Sequence, residues 1–383
     1  MKEALLPLEI KICRRLVEIS SLDWNKLVAD DNPFLSHEFL CALEIHGSVG
    51  ENTGWHPCHV VIYENGHLKA AMPLYQKSHS SGEFVFDQAW AEAYHRSGLY
   101  YYPKLVCSVP HTPALGQRLL CLEQDESEMF PLLLKATLAL AKSINASSFH
   151  CLFIDTQTHQ FLNSSGLSLR HDCQFQWEND NYKNFDEFLL KLISRKRKNI
   201  KQERRKVKEA GITFRHLDGY TATSADWKNF YGFYQKTFLE KQNIPKLGYP
   251  FFLEISKKLP DQVFLVLADF QGNCVAGALM FRSKTRLYGR YWGCSDEFNS
   301  LHFEACYYQG IEYCIQNNLK VFEPGAQGEH KISRGFVPTL TVSGHWIADK
   351  RFKEPVSDYC AQERVAVKGY MDKMNKTIPF RNE

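Results

Sequence analysis

Six residues, Glu329 to Arg334, hold four ionisable side chains: Glu329, His330, Lys331 and Arg334. A carboxylate and an imidazole can take up a proton near neutral pH. A lysine with an arginine can hold an anion. They follow Glu323, the end of a short apolar run, and the turn-formers Pro324 and Gly325. A strand that stops at turn-formers and releases charge into a loop is a common way to build a site. Gly325 and Gly328 also free the backbone for close approach to a ligand. The bland alternative is a solvated connection carrying ordinary surface charge.

The elements that must position this loop read clearly. Thr285–Cys294 is rich in Tyr, Trp and Arg, as a strand with one working face would be, and it carries Arg290 and Trp292. Ser300 caps an expected helix from about Leu301 to Gln316, where Phe303, Tyr307, Ile311 and Cys314 make one apolar face. Asn317–Asn318 ends it, and Lys320–Glu323 is a short strand.

Two further stretches carry chemistry. Phe84, Phe86, Trp90, Tyr94, Tyr100, Tyr101 and Tyr102 fall within nineteen residues, mixed with Lys77, His79, Glu83, Asp87, Glu92, Arg96 and Lys104. A core accounts for the aromatics alone; a substrate cleft accounts for both sets, lined by Lys77, His79, Glu83, Trp90, Tyr101 and Tyr102. From Ser194 to Ala210, within an expected helix Phe185–Ala210, nine Lys or Arg face two Glu. A charge run is usually a solvated face. A surplus of seven positive charges points to a polyanion (RNA, a coenzyme phosphate or an acidic lipid surface), with Arg195, Lys198, Arg204, Arg205 and Lys208 as its contacts.

The whole chain sets bounds. At 383 residues it is long enough for two domains, and 44% hydrophobic with 23% charged residues describes a soluble globular protein. The net charge of +3 implies no partner by itself. The longest near-candidate for a membrane span, Phe130–Ala141, is interrupted by Lys135, and the N-terminus lacks a signal-peptide core, so the expected location is the cytoplasm. The twelve cysteines show no CxxC spacing and read as reduced small hydrophobes. His56, Cys58 and His59 stand close together, but nothing nearby completes a site, so no metal is expected. The absence of GxSxG, GxxxxGK[ST], GxGxxG and HExxH argues against hydrolase, kinase and dehydrogenase readings.

A weak repeat organises the rest. Residues 63–77 resemble 269–284, and the helix–turn–strand at 129–155 resembles that at 301–323. The first half reads as the second with an aromatic insertion at about 79–110. The expected division is a first unit over 1–170, a second over 171–350 and a C-terminal helix over 351–383.

The element order resembles the GNAT acetyltransferase superfamily, and two such units in tandem resemble the Fem-type transferases. More narrowly, NPFLSHEFLCALE, GSVGENTGWHP, SRKRKNIKQERRKV, LHFEACYYQGIEY and FEPGAQGEHKISRGF resemble the FemAB-like, or peptidoglycan biosynthesis/recognition, family. The resemblance covers most of residues 33–350. It implies an α/β fold of tandem duplicated GNAT-like units, with mixed central sheets flanked by helices. It implies an N-acyltransferase that moves an acyl group from acyl-CoA to an amine of a small molecule or cell-wall precursor. A Fem-like transferase using aminoacyl-tRNA and a non-catalytic binding protein are the alternatives. The chain departs from the pattern in lacking the RxxGxG/A pyrophosphate loop and a long helical arm. Acyl transfer needs a deprotonated amine and a polarised carbonyl. On this reading Glu323, Glu329 and His330 are the base candidates. His330 is preferred, with Glu329 orienting it, because Lys331 and Arg334 disfavour its protonated form. Lys331 and Arg334 would hold an anionic part of a substrate, and Arg290, Trp292 and Gln327 would line its site.

Overall fold

The computed structural model describes residues 8–326 and 328–381. It divides into two compact units, Met1–Asp172 with Leu340–Lys368, and Cys173–Thr339 with Gly369–Glu383. The chain therefore returns to the first unit after residue 339, where the sequence reading runs the second unit on to 350. The long helix Lys350–Asn375 lies mostly in the first unit and ends in the second.

The first unit holds two groups of strands. Glu9–Cys13, His59–Glu64, His67–Met72 and Leu120–Cys121 form a four-stranded sheet in that order. A second set runs from Gly344–Ile347 through Ser148–Cys151, Lys104–Cys107 and Leu74–Lys77 to Trp55–Pro57. Only the pairing of Lys104–Cys107 with Ser148–Cys151 is parallel within this set. Val60, Ile62, Met72, Leu105 and Phe149 alternate into one core, which the inner face of helix Glu126–Ser143 covers with Leu133 and Ala141. Lys104–Cys107 has a strand on either side. The end of the aromatic segment is thus an integral strand and not part of an added loop.

The second unit is a mixed sheet in the order Thr213–Leu217, Val263–Phe270, Asn273–Arg282, Arg286–Cys294, Val321–Glu323 and the end of Ser168–Glu178. Both units contain the hairpin expected from the repeat. Asn65-Gly66 and Gln271-Gly272 turn with positive φ at both residues, 53° and 79° in the first and 50° and 79° in the second. That geometry matches the twist of the flanking strands. After the first hairpin the chain passes Pro73 and changes sheet; after the second it stays in one.

The basic helix differs from expectation. It is two helices, Phe185–Lys191 and Ser194–Glu209. Leu192 is fully buried and bridges Phe380, and the Ile193 N–H donates to the Pro379 carbonyl at 2.8 Å. Pairing with the C-terminal segment takes the backbone out of the helix there. Among the described residues no helix is long and apolar enough to cross a membrane.

Candidate active site

Two strands set the site in the second unit. Arg286–Tyr288 pairs in parallel with Val321–Glu323 for three residues, and then the chain leaves the sheet at Pro324. A β-bulge lies at the same level: Leu279 pairs with Tyr291 and Met280 with Gly289, so Arg290 is the extra residue. Bulges re-aim side chains and are common beside active sites. Gly289 gives Pro324 room here, since a Cβ would lie a tight 3.2 Å from Pro324 Cα.

The helix that follows contains a second irregularity. Glu304–Tyr308 is a single π turn, joining Leu301–Phe303 to Gln309–Gln316. Such turns recur at functional sites. The wide turn lets two consecutive tyrosines serve the loop. Tyr307 reaches the His330 ring, with its hydroxyl 2.8 Å from Nε2, while Tyr308 hydrogen-bonds Glu203 and lies 3.1 Å from Arg334 Nε.

Glu329–Arg334 is a short 3-10 helix with two faces. Glu329 and His330 are exposed; Lys331 and Arg334 are buried. Gly328 turns into it at φ +117°, and a Cβ there would fall 2.3 Å from the His330 ring. Glycine is thus what lets this imidazole sit over its own loop. Burial lowers the His330 pKa, and the charges of Arg334 and Lys331 lower it further, so the ring is neutral at pH 7. Burial likewise takes the Lys331 ammonium down to about 8. Its Nζ donates to the Gly325 carbonyl at 2.6 Å and closes the loop on itself. Arg334 donates to both oxygens of Glu203, at 3.2 and 2.7 Å, and to the His330 carbonyl at 2.8 Å. Its guanidinium lies 3.4 Å from the centre of the Phe303 ring.

Several expected roles change with this geometry. Lys331 and Arg334 are engaged within the protein and build the loop; they do not stand open to an anion. Glu329 accepts from the Tyr370 hydroxyl at 2.9 Å, so the group that orients His330 is Tyr307 instead. Glu323 is buried and ion-paired with Arg286 at 2.8 Å. Trp292 packs its ring edge-on against His302, 5.4 Å away. The Arg290 guanidinium is desolvated, which lowers its pKa. Gln327 lies outside the described residues.

On the helix Ser194–Glu209, Lys198, Lys201, Arg205 and Lys208 follow one another at steps of three, four and three, and all are exposed. They form one stripe. Arg195 is exposed on an adjoining line. Arg204 points the other way, to Glu304 and Glu312, with hydrogen bonds of 2.8 to 3.2 Å. It therefore leaves the expected basic set, while Lys201 joins it. Arg205 and Lys201 meet Glu209 at 3.6 Å and Asp186 at 3.3 Å, exposed pairs worth little each.

In the first unit the aromatic segment folds over a buried cation that the sequence reading did not single out. Lys104 donates to Glu83 at 2.8 Å and also to Asp87 and Ser80. Tyr101 donates to Asp87 at 2.6 Å. Trp90 stands edge-on to His345 at 5.0 Å, and the Lys77 ammonium lies 3.7 Å from the centre of the Trp55 ring. Tyr102 is half-buried, 2.8 Å from Ser80 Oγ, and His79 is exposed. Burial raises the Glu83 pKa to about 7. Against burial, Lys104 and His150 hold Asp87 down to about 2, so Asp87 is the ionised partner. The expected cleft residues thus gather, apart from His79, as the lining of a closed polar core. Among the described residues no three metal-ligating side chains come together. His59 instead meets Glu44 at 3.1 Å and accepts from the Leu74 N–H.

The fold has relatives among solved structures. FemX is 12% identical, with a TM-score of 0.55 over 88% of this chain and 98% of its own. L-PGS from Bacillus licheniformis is 11% identical, with a TM-score of 0.51 over 90% of this chain and 97% of its own. At such identity the likeness concerns the fold alone. No curated protein matches the chain in sequence. The model of the FemAB-like family, described as peptidoglycan biosynthesis/recognition, matches residues 15–382, and the chain belongs to that family.

Proposed function

We propose that this protein transfers an acyl group to a primary amine of a peptidoglycan precursor, with His330 taking the amine proton. The observation that carries the reading is the placement of His330. It is exposed, held neutral by its surroundings and fixed by Tyr307, on a loop that leaves a splayed strand. The reading uses the tautomer in which Nε2–H donates to Tyr307, which leaves Nδ1 as the acceptor. The amine nitrogen attacks the acyl carbonyl, a C–N bond forms, and the bond to the donor carrier breaks. Nδ1 takes the proton lost by nitrogen and returns it to the leaving oxygen or sulfur.

The basic stripe bears on the donor. Four exposed cations in line along three turns suit an extended phosphate backbone better than one pyrophosphate. This favours aminoacyl-tRNA over acyl-CoA, as does the missing RxxGxG/A loop. The test is mass spectrometry of a muropeptide incubated with the protein and either donor. Acyl mass on the amine with aminoacyl-tRNA supports the reading, and acyl mass with acyl-CoA alone transfers it to the coenzyme. Saturable muropeptide binding without transfer from any donor would make the protein a binding module.

A further inference from the structure

Attack on an acyl carbonyl puts negative charge on its oxygen, and a donor aimed at that charge is usually the largest single contribution to the rate. His330 takes up a proton in this reaction and so does not supply that donor. Beside it stands a second imidazole, His302, half-buried on the helical turn Leu301–Phe303.

The His302 ring is caged by other rings. Trp292 and Tyr307 meet it edge-on at 5.4 Å, Phe303 at 5.5 Å and His330 at 6.4 Å between ring centres. The π turn contributes, because its extra residue brings Tyr307, five positions on, round to the face of His302. This packing fixes the direction of the ring and leaves its nitrogens unused. Among the described residues neither nitrogen has a hydrogen-bond partner, and neither is shut off from solvent. His216 in the same unit is by contrast bound to Gln309 at 2.6 Å.

Burial, then protonated His330, Arg334, Lys331 and Lys241, hold the His302 pKa down to about 4. The ring is therefore neutral at pH 7 and stays neutral when His330 becomes charged. It is too weak a base to hold a proton, yet it carries one N–H to donate. Neutral imidazoles kept so by their surroundings can polarise a carbonyl in this way. The spacing also fits. A base and an oxyanion donor that serve one carbon each reach their atom over about 3 Å, and so stand roughly 5 to 8 Å apart. The two rings are 6.4 Å apart. We propose that His302 is a second catalytic residue, its ring N–H donating to the acyl oxygen while His330 takes the proton from the attacking amine. The proposal rests on the acyl-transfer reading of the His330 site. As the C–N bond forms, the carbonyl π pair moves onto the oxygen that His302 holds. When that pair re-forms the carbonyl, the bond to the carrier breaks, and His302 keeps its hydrogen throughout.

The test uses the full chain and two measurements. The first is long-range proton–nitrogen NMR of ¹⁵N-histidine-labelled protein, with the His302 signals assigned by their loss in His302→Gln. His302 should stay a single neutral tautomer from pH 7 down to about pH 5. A His302 that titrates near the ordinary 6.5 overturns the proposal, whether or not turnover is measured. The second is steady-state kinetics with a muropeptide and the donor that supports transfer. His302→Phe keeps a ring but no N–H, and should lower kcat about 100- to 1,000-fold with KM nearly unchanged. His302→Gln restores an N–H and should recover about tenfold or more of that loss. Both should keep the acidic limb of the kcat/KM profile that His330 sets. The two readings fail separately. Wild-type kcat in His330→Ala removes the base. Wild-type kcat in a folded His302→Phe, a loss carried in KM alone, or no recovery with glutamine removes His302 from the reaction and leaves His330 in place. The NMR titration decides the matter even where His302→Phe does not fold.

Discussion

Glu203 holds Arg334 with both carboxylate oxygens, and the Tyr308 hydroxyl joins the same pair. Through this contact the helix that carries the basic stripe also sets the His330 loop. The Arg334 side chain is only 8% exposed, so its charge depends on that partner. Removing one member of a buried pair typically costs about 3 kcal/mol, more than replacing both. Glu203→Leu should therefore destabilise by about that amount in urea unfolding. Glu203→Leu with Arg334→Met should cost clearly less than the two single changes added together. Additive losses would show that the pair is energetically unimportant.

Lys331 gives the loop a pH signature. Its folded pKa of about 8 lies below the ordinary 10.5, because burial disfavours the ammonium. Below pH 8 the folded protein carries the full cost of that buried charge. Between pH 8 and 10.5 the unfolded chain holds a proton that the folded one has released, so stability rises with pH across that window. The difference between the two pKa values corresponds to roughly 3 kcal/mol. The gap in unfolding free energy between the wild type and Lys331→Met should narrow or reverse in favour of the wild type by about this amount over that window. A gap independent of pH would mean that Lys331 titrates normally.

Much of this architecture is legible in the sequence, and the exceptions share a cause. The two hairpins are marked by Asn65-Gly66 and Gly272. The charged loop is marked by Pro324, Gly325 and Gly328. What local pattern cannot supply is which distant side chains meet. Lys331 and Arg334 read as open cations, because nothing in their spacing reveals the Gly325 carbonyl or Glu203. Arg204 reads like Arg205, yet a rotation of 100° per residue turns it onto Glu304 and Glu312. His150 and His345 are 195 residues apart and meet only because their strands pair. The π turn at Glu304–Tyr308 and the bulge at Arg290 are departures from regular period, which a periodic reading smooths away.

The stripe can be tested through salt. Each phosphate neutralised adds a little under one unit to the slope of log affinity against log salt. Lys198→Glu with Arg205→Glu should weaken tRNA binding, read by fluorescence anisotropy, and flatten that slope by about two units. Arg204→Gln should leave the slope alone and lower stability, since its partners are Glu304 and Glu312. A slope lost with Arg204 and kept with the stripe reversed would put the nucleic acid on another face.

The most direct test of the central claim is the turnover of His330→Ala. A general base contributes about 100- to 10,000-fold in rate. With a muropeptide acceptor and the donor identified by mass spectrometry, His330→Ala should lower kcat by that order. Its urea midpoint should stay within the range of an exposed substitution, because the ring is exposed and hydrogen-bonds the Tyr307 hydroxyl at the surface of the loop. Wild-type kcat in a folded His330→Ala protein would contradict the account, whatever else the loop does.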